Sequence, residues 1–93
     1  MPVHPVTVLV VDDDPTVRSV LCRTIEAGGY TVHAAADGLE ALTLMAAGFR
    51  IDLVVTDLWM PRMDGRQLSP ELAMKYPHVW VLFIRLRGPS GLC

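Results

Sequence analysis

The run Val6-Thr7-Val8-Leu9-Val10-Val11-Asp12-Asp13-Asp14-Pro15 decides the architecture. Its apolar and β-branched opening has the length and composition of a strand buried on both faces. The strand stops at consecutive acids. Pro15 then takes a natural first helical position, with Asp14 before it as the N-cap. Val17, Val20, Leu21 and Ile25 recur at helical spacing, and Gly28-Gly29 ends the helix. Residues 6–29 therefore read as strand, acidic turn, helix.

The pattern then repeats. Residues 30–35 form a short second strand. Asp37 and Glu40 are spaced as a capping box, opening a helix with Leu39, Leu42 and Met45 on one face and Gly48 as its stop. Residues 51–56 read as a third strand, which also ends in an acid, Asp57. A loop over residues 58–65 carries Pro61 and Gly65. Residues 66–76 follow as a helix that Pro70 should kink or delay, and residues 78–84 form the most hydrophobic strand. Strands alternating with helices predict an α/β fold, a parallel sheet covered on both faces. Right-handed crossovers reduce the choices to a flavodoxin-like doubly wound sheet in strand order 2-1-3-4.

Composition bounds the rest. Ninety-three residues make one small domain, and 52% hydrophobic against 19% charged residues exclude intrinsic disorder. A net charge of −2 gives no electrostatic case for nucleic acid or an anionic membrane as partner, and Arg85 and Arg87 are too few to make one. Cys22 and Cys93 are too few for a disulfide framework or zinc site; Cys22 is expected to pack as a small apolar residue. The start lacks the basic region of a secretory signal, and the apolar run of residues 79–84 is far shorter than the roughly 20 residues a bilayer span needs. A soluble cytoplasmic domain is the expectation. Yet a mean hydropathy of +0.38 is high for so short a chain, so apolar surface must stay exposed or meet a partner.

The predicted topology makes Asp12, Asp13 and Asp57 neighbours, because adjacent strands lie about 4.8 Å apart. Capping explains Asp14, but three like charges held together call for a cation. An all-oxygen site with room for water suits Mg²⁺ better than zinc. A cation beside a carboxylate at the carboxyl edge of a sheet suggests phosphoryl transfer to that carboxylate. Asp57, alone at its strand end, is the candidate nucleophile; Asp12 and Asp13 are placed to hold the ion. The isolated His4, His33 and His78 lack ligand spacing. Met45, Met60, Met63 and Met74 read as packing residues, Trp80 and Phe83 as core or interface, and Trp59 as half exposed beside the site.

Two segments carry a family resemblance. Val8-Leu9-Val10-Val11-Asp12-Asp13-Asp14-Pro15 resembles the first strand and acid pair of response-regulator receiver domains. Thr56-Asp57-Leu58-Trp59-Met60-Pro61-Arg62-Met63-Asp64-Gly65 resembles that family's phosphoacceptor loop, and residues 35–42 resemble its second helix. The resemblance covers residues 6–84, a receiver-like domain spanning residues 1–84 with residues 85–93 as an irregular tail. It implies a two-component signalling module rather than an enzyme: Asp57 accepts a phosphoryl group from a histidine kinase or phosphotransfer protein. It further implies Mg²⁺ held by Asp12, Asp13, Asp57 and the backbone carbonyl of Trp59, with Met60, Pro61, Asp64 and Gly65 shaping the loop.

The sequence departs from the family at Arg85, where a Ser or Thr is usual, and lacks the fifth strand, its lysine and the last helices; Lys75 is the only lysine. Metal binding should thus survive better than switching. The fourth strand becomes an edge, predicting a homodimer or larger assembly through residues 78–84. The alternative is a degenerate, non-switching receiver acting as an association module. A phosphohydrolase is a third reading, disfavoured by Trp59 where that chemistry usually places a second Asp.

Overall fold

The computed structural model describes residues 5–84; the predicted tail over residues 85–93 lies outside them. Seven elements alternate: β1 (Thr7–Val11), α1 (Pro15–Ala27), β2 (Thr31–Ala35), α2 (Gly38–Ala46), β3 (Leu53–Asp57), α3 (Gly65–Lys75) and β4 (Trp80–Ile84). All strand pairs are parallel and the order is β2-β1-β3-β4, as expected. No helix among the described residues is long and apolar enough to cross a membrane.

Strand alternation divides the core in two. Leu9 and Val11 point to one face, where they pack with Ala41 and Met45 of α2 and Leu68 and Leu72 of α3. Val8, Val10 and Val55 point to the other, against Leu21, Cys22 and Ile25 of α1. The faces are unequally covered, and α1 has no fully buried residue. Beside it an apolar groove of about 570 Å³ remains, walled by Val8, Leu21, Ile25, Val55, Trp80 and Leu82 among others.

Several local expectations need correction. Val20 and Leu39 are exposed; Gly38, Ala41 and Met45 make the buried face of α2. Leu39 lies two residues from Ala41, about 200° around the helix, and so faces outward. The Asp37 carboxylate does cap the Glu40 amide, but Glu40 reaches back to the Ala36 amide and not to Asp37. A reciprocal capping box forms instead at Asp64 and Gln67. It fixes the start of α3 at Gly65, so the helix runs through Pro70 with no delay. Met74 is 81% exposed and packs nothing, because it lies on the outer face of α3.

The loop between β3 and α3 is pinned from the side by α2. Arg62 adopts a left-handed φ of 65° and forms an ion pair with the buried Asp37. Next to it, the Gly38 amide donates to the Met63 carbonyl at 2.7 Å. A Cβ at position 38 would come within 2.6 Å of the Met63 side chain, so only glycine permits this approach. Burial pushes the Asp37 carboxyl up, but the Glu40 amide and the Arg62 guanidinium outweigh it and hold it below the usual carboxylate range.

Leu9→Ala should cost about 2–5 kcal/mol through lost burial and a residual cavity, whereas Val20→Ala, on an exposed face, should shift stability by no more than about 0.5 kcal/mol; urea unfolding reads both. A depressed carboxyl stabilises the fold above its ordinary value near 3.9 and loses that contribution as pH falls through the lower folded value. Asp37→Asn should therefore be less stable than the parent at neutral pH and converge with it in acid. A constant gap from neutral to acid pH would contradict this.

Candidate functional site: an acidic notch at the carboxyl edge of the sheet

The β1–β3 register aligns Val11 with Thr56, so the next residues, Asp12 just past β1 and Asp57 at the end of β3, lie side by side. Asp12 and Asp57 are fully buried and Asp13 is half-buried. One carboxylate oxygen from each of the three lies within 4.8 Å of the others. The three predicted acids are thus brought together. Asp14 stands apart as expected, its carboxylate accepting from the Thr16 and Val17 amides at the start of α1.

Main-chain groups orient the two buried acids. The Asp14 amide donates to Asp12 Oδ1 at 2.8 Å, and the Trp59 amide donates to Asp57 Oδ1 at 3.2 Å. Both bonds run from two residues downstream, so the turn after each strand curls back over its own carboxylate. Arg18 reaches from α1 to the Asp12 main-chain carbonyl at 2.7 Å. That contact leaves the guanidinium on a neutral oxygen at the notch wall.

The loop residues divide by role. Met60 is buried in the core, Pro61 is exposed, and Asp64 caps α3 through the Arg66 and Gln67 amides. Gly65 is held against the end of β3: a Cβ there would lie 2.6 Å from the Asp57 carbonyl oxygen. Any side chain would push α3 away from the notch. Trp59 is half-buried, as expected, and the guanidinium of Arg66 lies 4.1 Å above its ring. Arg66 also pairs with Asp64 at 3.2 Å.

Sequence reasoning missed three of these features. The Asp64–Gln67 cap was readable as an acid three residues ahead of a glutamine. The Arg62–Asp37 pair and the Arg66–Trp59 stack join residues by tertiary approach, which local spacing does not carry.

Chemically the notch offers only oxygen donors, two of its three carboxylates dry and all of one sign. Such a set fits a hard divalent cation and suits neither zinc nor copper. A carboxylate at that spot, oriented by a main-chain amide, is equipped to act as a nucleophile toward phosphorus.

Comparison with known proteins agrees with this geometry. A family profile described as the response regulator receiver domain matches residues 8–89. The sensor kinase CckA of Brucella abortus is 44% identical over 79 residues, which are 84% of this chain and 8% of that protein. Response regulator MprA of a Mycobacterium species (strain KMS) is 50% identical over 68 residues, covering 73% of this chain and 29% of its own length. The chain thus spans well under a third of either relative. Among solved structures, the Thermotoga maritima response regulator TrrA, crystallised with Mg²⁺ and BeF, superposes with a TM-score of 0.82 at 30% identity, over 94% of this chain and 76% of that one. The protein described here belongs to the response regulator receiver domain family, the signalling modules of two-component systems.

Proposed function

We propose that this domain accepts a phosphoryl group on Asp57 from the phosphohistidine of a partner kinase or phosphotransfer protein in the cytoplasm. The observation that carries the reading is the convergence of Asp12, Asp13 and Asp57 within 4.8 Å. An Asp57 carboxylate oxygen attacks phosphorus as the N–P bond breaks, and the bonding pair returns to the imidazole nitrogen. The Trp59 amide on Oδ1 restricts rotation of the nucleophile. Asp12 and Asp13 are the residues that would hold Mg²⁺, together with Asp57 and the Trp59 carbonyl. Bound there, Mg²⁺ would offset the charge of the phosphoryl oxygens. Burial of Asp12 and Asp57 keeps the local dielectric low, which strengthens each of these interactions.

The reading extends to assembly. Residues 78–84 carry no Asp, Glu, Lys or Arg, and β4 stands at the sheet edge among the described residues. Trp80 is 78% exposed and Leu82 52%. An edge strand that is apolar and uncharged invites pairing with a second copy.

Incubation with acetyl phosphate and Mg²⁺ should add one phosphoryl mass to the intact chain. The adduct should vanish in Asp57→Asn and on chelation. A stable chain with no adduct would favour the association module instead, and continuous phosphate release a hydrolase. Light scattering should report a dimer or larger species that shifts toward monomer in Leu82→Lys; a monomer at high concentration would overturn the assembly proposal.

A further inference from the structure

Phosphorylating Asp57 would place a dianion beside the Asp12 and Asp13 carboxylates, more negative charge than one divalent ion offsets, so a cation of the protein is favoured at the phosphoryl oxygens. Among the described residues, other cations are engaged elsewhere. Arg62 is committed to the buried Asp37, Arg18 to the Asp12 carbonyl, and Lys75 to Glu71 at the far end of α3. Arg66 differs. It directly follows Gly65, the residue pressed against the Asp57 carbonyl. Its guanidinium lies on the ring of Trp59, whose amide in turn holds Asp57 Oδ1. Its side chain is 58% exposed, so its contacts are weak ones.

We propose that Arg66 is the phosphoryl-positioning residue of this domain, moving from Asp64 to the phosphoryl oxygens on Asp57 and leaving the Trp59 ring as it does so. The inference rests on the phosphoacceptor reading of Asp57. Two features make the exchange favourable. A guanidinium meets a phosphoryl group with two parallel charge-assisted bonds, which a screened surface pair with a carboxylate does not match. And Asp64 is not stranded when Arg66 departs: its Oδ1 still accepts the Arg66 and Gln67 amides that start α3. The cap stays closed while the side chain moves. No bond is made or broken by Arg66; it orients the group and offsets charge.

The test uses the whole chain with Trp80→Phe, a change at an exposed site, leaving Trp59 as the only tryptophan. Acetyl phosphate and Mg²⁺ serve as probe, read by intact mass and by tryptophan emission. Arg66→Ala should slow adduct formation roughly tenfold, as expected for loss of a charge-assisted contact, and Arg66→Lys should recover part of it. The parent's emission should change on phosphorylation, and that change should be absent in Arg66→Ala. Lys75→Ala, at the far end of α3, should keep both the emission change and the rate. If the parent forms no adduct at Asp57, the phosphoacceptor reading fails and this inference with it. If the parent is phosphorylated while Arg66→Ala matches it in rate and emission, or Lys75→Ala loses both equally, the inference fails by itself.

Discussion

Every acid in the notch owes its place to the parallel ladder between β1 and β3. That ladder pairs Val11 with Thr56 and so sets Asp12 and Asp57 at the same level of the carboxyl edge. Its register is enforced by burial on two sides. A slip of one residue would turn Leu9 and Val11 from the face covered by α2 and α3 to the face covered by α1 and separate the carboxylates. The apolar residues that lock the register and the acids that follow them are adjacent in sequence, so packing and chemistry are specified together. Repulsion among three carboxylates works against folding, and the fully buried strands upstream of them supply the opposing stabilisation.

A second layer of control comes from the loop after β3. It is held at its middle by Arg62 and Met63 against the start of α2, and at its end by the reciprocal cap of α3. Two glycines permit the close approaches, Gly38 under Met63 and Gly65 under Asp57. The result is a braced rim beside the notch, with Trp59 half-buried in it and Arg66 exposed. Rigidity here serves the site, since a nucleophile that wanders loses much of its advantage.

Much of this was legible in the residues themselves. The strand order follows from alternation and handedness, and residues 8–15 with 56–65 marked both the notch and the family. The local misreadings share a cause. Helical spacing places Leu39 and Val20 inward and residue type does the same for Met74, but which stripe of a helix is buried depends on which residues meet the sheet. On α2 the buried stripe is Gly38, Ala41 and Met45, and on α1 the stripe that meets the sheet is Leu21, Cys22 and Ile25, which leaves Leu39 and Val20 outside. The contacts of Arg62 and Arg66 were invisible for a different reason. Each joins its partner across the fold, so no period in the chain announces it.

Pro70 has an effect that its tolerance within α3 conceals. A helical carbonyl is normally tied to the amide four residues on, and proline has no amide hydrogen to give. The Arg66 carbonyl therefore loses its helical donor, and the opening turn of α3 is coupled to the rest of the helix by fewer bonds than its neighbours would suggest. Its cap below and the burial of Gly65 and Leu68 against the sheet therefore hold that turn in place, where the helical ladder above it is one bond short.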